Sequence, residues 1–163
     1  MTGASSWSFG EDDSRQITAI LDEFLAQSSA RTALIVDKAG QMVATVGETP
    51  TFDSTAFASL TAADFSANDQ LAKMIGEVEF GSLFHQGEQE SLYLADIAGR
   101  VILVVLFDTR TTLGLVKLRV KATVGSLNQV FTEMLNKEAP QAPRVETDFI
   151  GDAEDEIDRL FGG

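Results

Sequence analysis

A single histidine, His85, and one isolated arginine, Arg110, are the side chains in this sequence whose types invite a catalytic reading. A lone histidine works as a general base only where a nucleophile and an orienting carboxylate stand beside it, and spacing assigns neither here. His85 falls near the end of an expected strand and reads as a hydrogen-bonded structural residue. Arg110 sits in "GRVILVVLFDTRTTLGLVKLRVK", between an apolar run and a basic ladder. A lone arginine in a polar turn can reach the phosphate site of another protein and stabilise charge there. The alternative is architectural, a connector between the end of a strand and the cap of a helix.

The remaining inventory is thin. There is no cysteine, so a thiolate metal site, a disulfide framework and a cysteine nucleophile are excluded. One histidine excludes a metal site built on several. The chain has no Gly-Lys pair and no G-x-G-x-x-G, so a phosphate-cradling loop is not expected. Glu77, Glu79, Glu88 and Glu90 surround turns and form no pair suited to acid and base work. Asp152 to Asp158 lacks the glycine and ligand spacing of a calcium loop. The expectation is a chain without its own active site, metal or cofactor.

With 163 residues, 44% of them hydrophobic, the chain can bury one sizeable core and is too short for two ordinary domains. A net charge of −13 argues against nucleic acid and anionic membrane surfaces as primary partners, since both need clustered Lys and Arg. The longest apolar run, Val101 to Phe107, is far below the ~20 residues that cross a bilayer. The start, "MTGASSWSFGEDDS", lacks the features of a secretory signal, and a soluble cytoplasmic protein is expected. Charge is unevenly placed. Residues 140–163 carry seven acidic residues against Arg144 and Arg159, whereas Arg110, Lys117, Arg119 and Lys121 gather four of the twelve basic residues. Such a basic cluster is a solvated helix face or a receiver for an acidic partner or for the molecule's own acidic tail.

Residues 1–14 read as a disordered start. Ser14 is placed to cap a helix from about Arg15 to Ser28, with Ile17, Ile20, Leu21, Phe24 and Leu25 on one face. A hairpin follows, Thr32 to Val36 and Met42 to Val46, with its turn at Asp37 to Gly40. Asp53 is placed to cap a long helix ending near Gly76. Its stripe of Phe57, Leu60, Ala67, Leu71, Met74 and Ile75 is expected to face the core. A neighbouring stripe of Ala56, Ser59, Ala63, Ser66 and Gln70 is small and uncharged, which suits either close internal packing or the close approach of a partner.

Three strands are expected at about Glu79 to His85, Ser91 to Ile97 and Arg100 to Phe107, the last two joined by a turn at Gly99. Val101 to Phe107 is apolar throughout, which demands cover on both faces of the sheet. Val116, Val120, Val124, Leu127, Phe131 and Met134 keep helical spacing, so a helix capped by Thr111 or Thr112 runs to about Asn136. Residues 138–148 form a proline-containing linker, and residues 149–163 an acidic tail that is a candidate for a short amphipathic helix. The fold class is α+β or a mixed sandwich, five strands with helices on both faces.

This arrangement, with "LIVDKAGQMVAT", "SLTAADFSANDQLAKMIGE", "FHQGEQESLYL" and "VILVVLFDTRTTLGLVKLRVK", resembles the roadblock/LC7 family over about residues 15–137. The resemblance implies a five-stranded antiparallel sheet between one helix and a pair of helices, and a homodimer whose sheet continues from one protomer into the other. It implies a partner, a small Ras-like, MglA-like GTPase, held by two copies of the chain, whose GTP hydrolysis is stimulated without a donated arginine. GTP and Mg²⁺ would belong to the GTPase and not to this chain. The role implied is control of cell polarity or gliding motility, with a cell pole as the candidate site of concentration; the alternative is a roadblock scaffold that only tethers partners. The matching contact surface is Ser59, Ala62, Ala63, Ser66, Ala67 and Gln70, where Phe65, Asp69 and Gln70 are bulkier or more polar than the family pattern. Ile157, Leu160 and Phe161 match the anchors of a carboxy-terminal segment that reaches a second site on the GTPase.

Overall fold

The run from Val101 to Phe107 takes the centre of a five-stranded sheet, as its uninterrupted apolarity requires. The computed structural model describes residues 10–138. Its strands are β1 (Thr32–Asp37), β2 (Met42–Gly47), β3 (Ser82–Gln86), β4 (Glu90–Ile97) and β5 (Val101–Asp108), and its helices are α1 (Glu11–Ser28), α2 (Ser54–Met74) and α3 (Leu113–Glu138). All strand pairs are antiparallel, in the order β2-β1-β5-β4-β3, with Leu103 opposite Ile35 on one side and Ala95 on the other. No helix among the described residues is long and apolar enough to cross a membrane. The chain divides into two units after Val130, and the second contributes only the end of α3 to the described residues.

Alternation of side chains along the strands gives the sheet two apolar faces. Leu34, Val36, Leu94, Ile102 and Val104 share one core with Ala58, Ala62 and Phe65 of α2. Ala33, Ile35, Leu103 and Val105 point the other way, toward α1, which lies against β1 and β2 and flanks α3 across a cleft lined by Phe24 and Thr123. Each fully buried Leu, Ile, Val or Phe contributes about 1.5–3 kcal/mol. That burial, far more than the exposed ion pairs, holds the layers together.

Local signals close the elements. The Asp53 carboxylate accepts from the backbone N–H groups of Thr55 and Ala56 at 3.0 and 3.2 Å, a cap typically worth ~1 kcal/mol. The Thr112 hydroxyl accepts from the Leu115 N–H at 3.2 Å and caps α3. Ala98 and Gly99 both take positive φ, 56° and 69°, and the Arg100 N–H donates to the Ile97 carbonyl at 3.0 Å. This is the two-residue turn whose twist matches the flanking strands β4 and β5. In the first hairpin Gly40 has φ 92°, and a Cβ there would stand 3.0 Å from Ser59 Cα, so the turn lies directly against α2.

Several expectations are corrected. α1 begins at Glu11 and not near Arg15, because Glu11, Asp12 and Asp13 place negative charge at the positive end of the helix, and the Ser14 N–H donates to the Gly10 carbonyl inside the first turn. Ser14 is therefore not the cap, and residues 11–14 are ordered helix. β3 starts at Ser82, after Gly81 at φ 79°, and not at Glu79. α3 extends to Glu138, two residues past the expected end and into the expected linker. The largest correction concerns α2. Of the stripe expected in the core only Phe57 packs against it, while Leu60, Leu71, Met74 and Ile75 are exposed by 69, 57, 82 and 70% and face outward with Ala67.

Candidate partner-binding surface

α2 buries Ala58, Thr61, Ala62, Phe65, Asn68 and Ala72, a face of small residues around one aromatic side chain. Alanine and threonine let the helix axis approach the sheet closely, and Phe65 fills the space between them. The polar members are satisfied: the Thr61 hydroxyl donates to the Phe57 and Ala58 carbonyls at 3.0 Å, and the Asn68 amide donates to the Ser82 carbonyl at 3.4 Å. Lys38 Nζ stands 4.9 Å from the Phe65 ring centroid, a cation over the edge of the core.

The remaining circumference of α2 is open and carries two adjoining rows. One is the small, uncharged row Ala56, Ser59, Ala63, Ser66 and Gln70, all exposed, with Ala67 exposed beside it. Of the six residues expected to contact a partner, Ser59, Ala63, Ser66, Ala67 and Gln70 come together on this open side. Ala62 does not, because it is only 7% exposed and its methyl group packs into the core beneath the helix. Phe65 is likewise no surface bulk, being 1% exposed. Gln70 remains as an exposed polar departure, and Asp69 is half-buried with Oδ1 lacking a hydrogen-bond partner among the described residues. Ile157, Leu160 and Phe161 lie outside the described residues.

The second row is Leu60, Ala67, Leu71 and Met74, continued by Ile75 and Val78 past the helix end. Its position relative to the sheet is fixed by Asp64, whose carboxylate meets His85 Nε2 of β3 at 2.5 Å. Asp64 lies one turn from Leu60 and about two turns from Leu71, so this row flanks the side of α2 nearest β3. Among the described residues β3 is an edge strand with no neighbour beyond it. An open sheet edge and an exposed apolar row thus share one side of the molecule, a combination that monomeric proteins normally avoid. The sequence held one signal for it. Large apolar residues on α2 are too many and too widely spread for a single buried face.

His85 has acquired the carboxylate partner that spacing could not supply, since Asp64 is 21 residues away. Both side chains are partly exposed and the hydroxyl of a nucleophile is not part of the pair. The contact joins α2 to the sheet edge.

Arg110 is held at the end of the sheet. Its Nε donates to both Asp108 carboxylate oxygens at 3.0 and 3.1 Å, and its guanidinium also donates to Glu48 at 3.0 Å. Arg31 bonds the same Glu48 at 3.1 Å and pairs with Glu90, so the ends of β2 and β5 and the starts of β1 and β4 are tied by one network. Hydrogen bonds from Arg110 and then Arg31 hold the Glu48 carboxyl below the usual carboxylate range, and the side chain and backbone N–H of Arg110 do the same for Asp108. The guanidinium groups are held firmly charged, Arg110 by Asp108 first and then Glu48, Arg31 by Glu48 first. Among the described residues no group of three His, Asp or Glu side chains is placed to hold a metal ion.

A family model described as Roadblock/LC7 domain matches residues 16–107. No curated protein matches the chain. Among solved structures, MglB from Myxococcus xanthus is 43% identical over 72% of this chain and 96% of its own, with a TM-score of 0.70. The gliding protein MglB from Thermus thermophilus is 31% identical over 77% of this chain and 95% of its own, with a TM-score of 0.71. A structure described as MglB with tetrameric arrangement is 33% identical over 77% and 94%, with a TM-score of 0.70.

Proposed function

The chain belongs to the Roadblock/LC7 family, and from that premise we propose that it is a homodimeric regulator that binds a small Ras-like GTPase and stimulates its GTP hydrolysis. The observation that carries this reading is the pair of adjoining exposed rows on α2, in a chain similar to the gliding protein MglB. The apolar row and the open β3 edge lie on one side, as a two-fold contact between protomers needs: apolar side chains pair across the axis while the strand edges hydrogen-bond. Such a dimer extends the sheet and presents two copies of the small-residue row, Ser59, Ala63, Ser66, Ala67 and Gln70, side by side. Short side chains there let a partner's backbone come close, and one GTPase spanning the seam meets two copies of this chain.

Stimulation in this scheme needs no arginine from the regulator. α2 contains no arginine, its one basic residue being Lys73. Arg110 is engaged by Asp108 and Glu48, and extending it to a phosphate would break those bonds. The small-residue surface acts instead by holding the GTPase's own catalytic groups in the geometry that stabilises the transition state. GTP and Mg²⁺ stay with the GTPase. The biological role that follows is cytoplasmic control of polarity or gliding motility, exerted at a cell pole.

Mixing the chain with its cognate GTPase and following phosphate release tests the proposal. Acceleration is expected, with Ser66→Arg or Gln70→Arg abolishing both it and complex formation. A stable complex without acceleration identifies a tethering scaffold, the reading that the polar Gln70 on the small-residue row favours. Failure of the GTPase to bind overturns both.

A further inference from the structure

A second surface lies on the opposite side of the sheet from α2. A groove of about 360 Å³ runs between α3 and the β3–β4 end of the sheet. Phe80 and the half-buried Val124 supply open apolar surface over a floor of buried Tyr93 and Val120, and Lys117 and Lys121, one turn apart on α3, stand along it. Phe80 is 42% exposed, a large apolar side chain left facing water.

Charge distinguishes this groove from the rest of the molecule. The chain carries −13 overall, yet Lys117 and Lys121 form no ion pair among the described residues. Among the described residues the only acidic side chain lining the groove, Asp96, is already paired with Lys38 at 2.7 Å. The local charge is therefore positive on an otherwise acidic protein.

We propose that this groove docks an acidic amphipathic segment of a partner protein. Its apolar residues cover Phe80 and Val124, and carboxylates one helical turn apart pair with Lys117 and Lys121. Nucleic acid is a poorer fit, because two lysines neutralise few phosphates and the surrounding negative charge repels the rest. A second copy meeting groove to groove brings two positive patches together, and the one acidic side chain lining each groove among the described residues, Asp96, is already paired with Lys38. The site is separate from the α2 rows, so its occupant and a GTPase on α2 can bind together.

Fluorescence anisotropy with the full chain tests this, using as probe a labelled peptide of Asp, Glu, Leu and Phe whose apolar residues recur at helical spacing. Saturable binding is expected, weaker at high salt, and reduced about tenfold or more by combined Lys117→Glu and Lys121→Glu. Lys73→Glu on α2 is expected to leave it unchanged. If charge reversal disturbs folding, as thermal melting will show, combined Lys117→Ala and Lys121→Ala still removes both cations at exposed helical positions and is expected to weaken binding several-fold. No binding, equal binding by the lysine variants, or equal binding of a peptide with Lys in place of its acidic residues overturns the proposal. So does a change in the chain's own sedimentation on charge reversal without peptide, which assigns the groove to a second copy.

Discussion

α2 and α3 are both long helices with apolar residues at helical spacing, yet one follows the pattern in its sequence and the other reverses it. On α3, Val116, Val120 and Leu127 are the expected inward stripe and are buried. On α2 the large apolar residues Leu60, Leu71 and Met74 face outward, while alanines, a threonine, an asparagine and Phe65 face the sheet. The difference teaches that hydrophobicity says which side chains leave water without saying whether they enter their own core. α3 has one apolar stripe and hence one solution. α2 has two faces to cover, and close packing of small residues wins the inner one because every methyl group there sits against the sheet.

The comparison is most exposed to test in the buried positions. Phe65→Ala should lower unfolding free energy by about 3–5 kcal/mol in urea titrations, and Leu127→Ala on α3 by about 2–5 kcal/mol, since both leave cavities. Next comes the outward row. Leu71→Ala should change the stability of the isolated protomer by no more than about 0.5 kcal/mol, while weakening self-association in sedimentation and removing the concentration dependence of Tm. Were Leu71→Ala as costly as Leu127→Ala at concentrations where the chain is monomeric, the two helices would not differ as described. The smallest effect is electrostatic. The Glu48 and Asp108 carboxyls are lowered by Arg110 in the folded state, so their contribution is present above the unfolded carboxylate value of ~4 and is lost as pH falls through the lowered values. Tm should fall on acidification through that window, and Arg110→Ala should make the fall shallower.

Much of the fold was legible in the residues. The unbroken run Val101 to Phe107 demanded a central strand, Asp53 and the pair Thr111 and Thr112 marked helix starts, and Gly99 marked the turn between β4 and β5. The acidic triplet Glu11 to Asp13 was legible too, but Ser14 competed as a cap and drew the expected start inward. The candidate surface was half legible. Ser59, Ala63, Ser66, Ala67 and Gln70 share one exposed side, but Ala62 was included with them because it has the same size and chemistry as its exposed neighbours. Only its position on the helix distinguishes it, and that matters only once the inward face is known.

The sequence by itself determined where strands and helices form, because backbone preferences, caps and periodicity act over a few neighbouring residues. Tertiary structure alone decided which face of α2 is inside, which carboxylate meets His85, and that Arg110, held locally by Asp108, is also tied to Glu48. The last pairing joins residues 62 positions apart, and the His85 contact joins residues 21 apart. Such contacts depend on how layers fit in space, and local spacing carries no information about that fit.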